Sequence, residues 1–379
     1  LRFKTAVAWG LFFCLSLVFL GPRAGWGNRA FLPVISAESA VLMDVDTGQI
    51  LYSKNHLQQR PMASTTKVMT ALIALAAADT DGIIKISPRA AAVGESSMYL
   101  REGEALALKH VLYGALLRSG NDACVAIAEH AAGSEEAFVL LMNEKAALIG
   151  ADSTHFCNTN GLPAPGHYST AQDLALIARN ALHDPLFCRI VKTRFKTVKG
   201  LGGVTHYLKN TNKLLWQYPG ADGVKTGTTM EAGKCLIASA TVDDRRLLAV
   251  ILNGPDRFRD AENLLDYGFN EFKAVRAAYA GEIYGRVQVL NGLSESVPAR
   301  IANDITINIH SDGVDEVEKK VTMLRSVQAP VREGQLLGKI TVIVNGAAVD
   351  SSLIVAESAV GNLSPVRKLT NKVINTVIR

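Results

Sequence analysis

The segment Pro61-Met62-Ala63-Ser64-Thr65-Thr66-Lys67 places a serine three residues ahead of a lysine, immediately before an apolar run. If Ser64 begins a helix, Lys67 lies one turn on, on the same face, with its amine in reach of the serine oxygen. That geometry makes a nucleophile and base pair without histidine. A lysine accepts a proton only when neutral, so the surroundings must desolvate it or set a second cation nearby to lower its pKa. Taken alone the spacing is also ordinary helix grammar, a serine cap followed by an exposed lysine.

Two more segments follow in order. Ser119-Gly120-Asn121 begins 55 residues after Ser64, and Lys225-Thr226-Gly227 begins 106 residues after Ser119. Singly, they read as a turn between helices and a strand end. In this order they form, with Ser64 and Lys67, the element set of an acyl-transfer site with a serine nucleophile and a lysine base. The Lys-Thr pair is not a phosphate loop, because that motif needs Gly before Lys and Val224 stands there.

The elements that must position these residues are legible in outline. Two apolar runs from Ala40 to Tyr52 flank Asp46-Thr47-Gly48 and predict an opening hairpin. Helical patterns follow over Ser64 to Ala78, Leu106 to Leu117, Ala123 to Ala132, Ala137 to Leu148 and Thr170 to Leu182. Beyond residue 220 the texture turns to strands: Lys234 to Thr241 and Leu247 to Asn253 flank Asp243-Asp244-Arg245, and a helix over Asp260 to Phe272 closes the domain. This order predicts an α+β domain with an antiparallel sheet and helices from separate parts of the chain. After about Ala277 the chain reads as a small β domain, with Ile305, Ile307 and Ile309 alternating with polar residues.

Composition narrows the function classes. The 379 residues carry 40 basic and 35 acidic side chains, a net charge of only +5, with no long basic run, which argues against a nucleic-acid binder. Eight histidines and five cysteines show no His-Glu-x-x-His and no Cys-x-x-Cys, so neither a metal nor a cofactor is expected. Cys124 and Cys235 sit in apolar contexts that predict free, buried thiols, while Cys157 and Cys188 are open to either state.

The three motifs make the chain resemble the D-alanyl-D-alanine carboxypeptidases, low-molecular-mass penicillin-binding proteins of serine peptidase family S11. The resemblance extends through Asp44-Val45-Asp46-Thr47-Gly48, His155-Phe156, Asn158, Gly161-Leu162 and His167-Tyr168-Ser169-Thr170-Ala171 with Asp173. It implies a penicilloyl-serine-transferase domain over 36–273, an antiparallel sheet flanked by helices, followed by a small all-β domain over 278–360. It further implies that Ser64 attacks the carbonyl between two terminal D-alanines, that Lys67 takes its proton, and that Ser119 passes a proton to the leaving amine. By the same resemblance Asn121 holds the substrate amide and Lys67, Lys225 and Thr226 bind the substrate carboxylate, and Gly227 and Thr228 line the site. The backbone N–H groups of Ser64 and Thr228 would form the oxyanion hole. Implied partners are peptidoglycan stem peptides and, as covalent inhibitors, β-lactam antibiotics. A class A β-lactamase would need a Glu-x-x-Leu-Asn segment between Asn121 and Lys225, and the chain has none.

Both ends predict a place outside the cytoplasm. Arg2 and Lys4 precede an uncharged stretch from Ala6 to Leu20 and a small-residue region at Gly25 to Gly27, the order of an export signal over 1–27. At the other end, over 363–379, Val366, Leu369, Val373 and Val377 recur at helical spacing beside Arg367, Lys368, Lys372 and Arg379. This predicts a basic amphipathic tail in peripheral contact with the membrane.

Overall fold

A computed structural model describes residues 32–364, so the export signal and all but the start of the tail lie outside the described residues. The chain opens with β1 (Ser39–Asp44) and β2 (Ile50–Lys54), the predicted hairpin. A 3₁₀ turn (Ala63–Thr66) leads into α1 (Lys67–Ala77), followed by β3 (Ile83–Lys85), α2 (Pro88–Ala91), β4 (Ala105–Ala107) and α3 (Leu108–Leu117). Then come α4 (Asn121–Ala132), α5 (Glu135–Leu148), α6 (Ala171–Ala181), α7 (Pro185–Lys192), the hairpin β5 (Phe195–Lys199) and β6 (Thr205–Lys209), and α8 (Leu214–Gln217). Strands β7 (Ala221–Thr229), β8 (Gly233–Val242) and β9 (Arg245–Leu252) precede α9 (Arg257–Glu271).

The central sheet is antiparallel with the order β2-β1-β9-β8-β7, so the chain's first hairpin completes a sheet whose other strands arrive only after the whole helical block, from Ala221 on. Its strands look continuously apolar because both faces are covered. In β1 and β9, Val41, Met43, Leu248 and Val250 face the helical layer of α1, α3, α4, α6 and α7, while Leu42, Leu247, Ala249 and Ile251 face α9. The alternation is the period-2 side-chain geometry of a strand, read twice. Each fully buried Leu, Ile or Met contributes roughly 1.5–3 kcal/mol, so the two layers hold the sheet from both sides.

The second domain is all β. Strands β10 (Phe272–Ala278) and β13 (Ile305–His310) pair with each other. A six-stranded sheet has the order β14-β16-β17-β12-β11-β15, built from β11 (Ile283–Leu290), β12 (Ser296–Ile301), β14 (Val317–Met323), β15 (Ser326–Gln328), β16 (Leu336–Val344) and β17 (Ala347–Ala356). One buried amide rivets it to the first domain. The backbone of Asn308 exchanges two hydrogen bonds with the Gln49 side chain (2.9 and 2.7 Å), and its own side chain accepts from Arg245 Nη2 (2.7 Å) and donates to Thr47 Oγ1 (3.1 Å).

The α+β fold class agrees with expectation; some local readings do not. Ser64 does not begin an α-helix: it lies in the 3₁₀ turn, after Ala63 at φ +48°, and α1 starts at Lys67. The front of the predicted helix at Leu106 is instead β4, drawn extended by pairing with β3. Lys225-Thr226-Gly227 lies in the middle of the nine-residue β7, not at a strand end. Cys124, Cys157, Cys188 and Cys235 are all free thiols.

Candidate active site

Ser64, Lys67, Ser119, Asn121 and Lys225 come together between α1, the α3–α4 turn and β7. The Lys67 side chain is fully buried, and its ammonium has three donors to place. They go to Ser64 Oγ (2.9 Å), Asn121 Oδ1 (2.8 Å) and the Asn160 carbonyl (2.6 Å). Burial lowers its pKa to about 8, opposed by the negative charge of Asp122. Cys124 also lies close, but burial pushes its thiol up to about 12, so it stays neutral beside the lysine.

The α3–α4 turn aims the second serine. Ser119 is in the left-handed region at φ +64°, and Asn121 follows as the first residue of α4. Asn121 Nδ2 donates to the Gly94 carbonyl (3.0 Å), which orients the amide so that its oxygen faces Lys67. The next residue, Asp122, is buried and accepts from Ser97 Oγ, from the backbone N–H of Met98 and Leu100, and from that of Ala123, binding the 97–100 loop to α4.

On β7, Lys225 is also fully buried; its Nζ donates to Ser119 Oγ (3.0 Å) and to the Thr226 carbonyl (2.8 Å). Burial lowers its pKa well below the usual lysine value, and the Lys67 charge lowers it further. The like charge of Lys67 makes Lys225 easier to deprotonate than a lysine in water, whereas for Lys67 burial itself does so. Thr226 Oγ1 shares a hydrogen bond with Thr211 Oγ1 (2.6 Å). At Gly227 a Cβ would lie 2.9 Å from the Ser64 nitrogen, so the glycine lets β7 press against the Ser64 backbone. The side chain of Thr228 accepts from Arg257 Nη1 (2.9 Å), which also donates to the Gly227 carbonyl (2.6 Å).

The structure adds positioning residues outside the three motifs. The His167 ring accepts the Cys157 N–H at Nδ1 (3.0 Å), which leaves Nε2–H to donate to Thr66 Oγ1 (2.9 Å), and that hydroxyl donates to the Ala63 carbonyl (2.8 Å). Burial, with a smaller contribution from His155, lowers the His167 pKa to about 4, so the ring remains neutral and its tautomer fixed near pH 7. Gly161, at φ +86°, lies against the same carbonyl. Neither Asn160 nor Thr211 nor Arg257 carries a signal in the sequence: Asn160 acts through its backbone oxygen, and Arg257 is one arginine among many at a helix start.

Gly161→Ala is expected to lower the melting temperature by several degrees and to slow covalent labelling by a β-lactam about tenfold. The new Cβ would lie 1.9 Å from the Ala63 oxygen, in a conformation that L-residues disfavour, for about 1–3 kcal/mol of strain and displacement. Thermal melting and the rate of covalent labelling by a β-lactam measure both effects. A variant equal to the parent in both would mean the glycine is not needed there.

The sequence profile of the D-alanyl-D-alanine carboxypeptidase family (peptidase S11) matches residues 27–256, and that of the penicillin-binding protein 5 C-terminal domain matches residues 272–362. The chain is 34% identical to the D-alanyl-D-alanine carboxypeptidase DacF of Bacillus subtilis, over 87% of each protein. It is 34% identical to DacD of Escherichia coli over 89% of this chain and 90% of that one. Among solved structures, penicillin-binding protein 5 of Haemophilus influenzae superposes with a TM-score of 0.77 at 30% identity, covering 87% of this chain and 99% of that one. The Streptomyces K15 DD-transpeptidase, as its S96A mutant, superposes at 0.60 and 34% identity, covering 63% of this chain and 99% of that one.

Proposed function

We propose a residue-by-residue mechanism for a chain that belongs to the S11 family of D-alanyl-D-alanine carboxypeptidases, serine-type hydrolases that remove the terminal D-alanine from a D-Ala-D-Ala end. Ser64 is the nucleophile. Its Oγ attacks the carbonyl between the two D-alanines while neutral Lys67 takes the proton. The backbone N–H groups of Ser64 and Thr228 face the oxygen that becomes negative, and donors held there stabilise the tetrahedral intermediate. Ser119 relays that proton from Lys67 to the departing D-alanine nitrogen, which leaves Lys67 neutral again. Water then attacks the acyl-serine, with Lys67 again accepting a proton, and frees the shortened stem.

The single observation that carries this reading is the Lys67 environment: a fully buried amine with a pKa of about 8, 2.9 Å from Ser64 Oγ. Lys225, Thr226 and Thr211 mark the end of the site for the terminal carboxylate. An entering carboxylate supplies the counter-charge that keeps Lys225 protonated. From there β7 runs past Ser64 to Thr229, so the preceding stem residues lie over a cleft of about 300 Å³ lined by Leu162, Pro163, Thr229 and Glu231. A β-lactam presents its ring carbonyl to the same serine and remains attached.

The reading places the enzyme outside the cytoplasm, acting on the cell wall, with the basic amphipathic pattern of Val366, Leu369, Val373 and Val377 as a peripheral membrane contact. Among the described residues no helix is long and apolar enough to cross a membrane.

Mass spectrometry of the purified protein with a diacyl-D-Ala-D-Ala peptide tests the activity. Free D-alanine and a peptide shortened by one residue are expected. A peptide joined to an added amine would favour transfer, the reaction named for the Streptomyces relative. An unchanged peptide would overturn the reading.

A further inference from the structure

From Pro185 to Ala221 the chain has no Asp or Glu but seven cations: Arg189, Lys192, Arg194, Lys196, Lys199, Lys209 and Lys213. That excess is larger than the net charge of the whole protein, +5. None of the seven has a carboxylate within salt-bridge distance among the described residues, and all but Lys196 are exposed.

The β5–β6 hairpin sorts these residues onto one surface. Its register sets Phe195 opposite Lys209, Thr197 opposite Tyr207 and Lys199 opposite Thr205, and all six are exposed, while Val198, His206 and Leu208 point inward. The rings of Phe195 and Trp216 are held by cations instead of being covered. Lys209 Nζ lies 5.8 Å from the centroids of both Phe195 and Trp216, Arg194 lies 5.8 Å over Trp216, and the two rings meet edge to face at 5.7 Å. Tyr207 is 80% and Phe195 61% exposed, a large outlay of aromatic surface to leave in water.

The platform adjoins the active site. Lys209 leads through Asn210 to Thr211, whose hydroxyl bonds Thr226, and a cleft of about 460 Å³ opens there between Arg118, Lys209, Lys213 and Trp216. A single D-Ala-D-Ala end stops at its carboxylate by Thr226 and Lys225, so it does not need this surface.

We propose that the β5–β6 platform binds an acidic peptide segment of the same polymer that carries the scissile end: the free carboxylates of neighbouring stems, held by Arg194, Lys199, Lys209 and Lys213, with the exposed rings packing on the chain between them. This rests on the wall-peptide substrate proposed above. The platform's role is retention on polymeric substrate, through attraction that raises the local concentration of ends near Ser64. A membrane surface fits less well, because the outward face alternates lysine and threonine with two rings and has no aliphatic stripe.

The test compares the full chain with an Arg194→Gln/Lys209→Gln double variant on two substrates, the diacyl-D-Ala-D-Ala peptide and isolated wall polymer. D-Alanine release is followed across a salt series. The expected result is that the ratio of kcat/KM on polymer to kcat/KM on peptide falls about tenfold in the variant, and that the parent's ratio falls towards the variant's as salt rises. A Lys199→Glu/Lys209→Glu variant should lower the ratio further. A ratio unchanged by either variant overturns the platform, as does equal loss on both substrates. Reduced pelleting of the variants with anionic vesicles at an unchanged ratio would assign the surface to the membrane and overturn the proposal. Failure of the parent to release D-alanine from the small peptide would instead overturn the activity itself, so the two failures are distinct.

Discussion

Ser64→Ala should abolish covalent labelling by a β-lactam and cut D-alanine release by a factor on the order of 10⁴ to 10⁶, the usual range when a catalytic nucleophile is removed. The protein should still fold. Ser64 is only partly buried, and its loss leaves the Lys67 ammonium with two good acceptors, Asn121 Oδ1 at 2.8 Å and the Asn160 carbonyl at 2.6 Å. No buried charge is stranded, so the melting temperature should move by a few degrees at most. Intact-mass spectrometry after incubation with the drug reads the outcome as one added drug mass in the parent and none in the variant. A drug adduct persisting in the variant, or mapping to Ser119 in the parent, would reassign the nucleophile.

Lys67→Arg should be nearly as severe, and its pH signature separates a base from a mere anchor. Arginine retains the charge and hydrogen-bonding donors but does not deprotonate in proteins, so acylation should collapse. In the parent, Lys67 titrates at about 8, so about one molecule in ten carries the neutral base at pH 7. The sign is set by that value: acylation should rise about tenfold per pH unit below 8 and level off above it. Lys225→Met removes a neighbouring positive charge, which relieves repulsion, raises the Lys67 pKa and moves the rising limb to higher pH. The rate of β-lactam acylation against pH, measured for the parent and the Lys225 variant, reads this directly. A flat profile through pH 8 in the parent would show that Lys67 is not the titrating base, and a limb that does not move in a Lys225 variant still able to acylate would show that the Lys225 charge does not set its pKa.

The sequence reading and the structure part company in an orderly way. Hairpins and long helices were legible because their signals are local: Asp46-Thr47-Gly48 between apolar runs, and the apolar spacing from Thr170 to Leu182, where Thr170 caps the observed α6. The short pieces from Pro185 to Gln217 carry little local signal, since α7 and α8 have eight and four residues and the outer face of the β5–β6 hairpin mixes threonines, lysines and two rings. Such segments take their form from what they pack against. The Ser64 backbone was misjudged for a related reason: the sequence prefers a helix start, but Gly161, Thr66 and His167 hold Ala63 in a left-handed conformation.

The sequence by itself determined which groups were available and how the nearest of them are spaced: a nucleophile and a base one turn apart, and two further motifs in order. It also set the alternation that buries β1 and β9 on both faces. Only the tertiary structure decided that Asn121, 54 residues from Lys67, and Asn160, 93 residues away, would supply acceptors for one ammonium, and that Lys225 would reach Ser119 across 106 residues. It also decided the chemistry of the lysine. A pKa depends on how much water the fold removes and which charges it leaves nearby, and these are sums over contacts between distant parts of the chain, whereas spacing along a helix is fixed by the residues themselves.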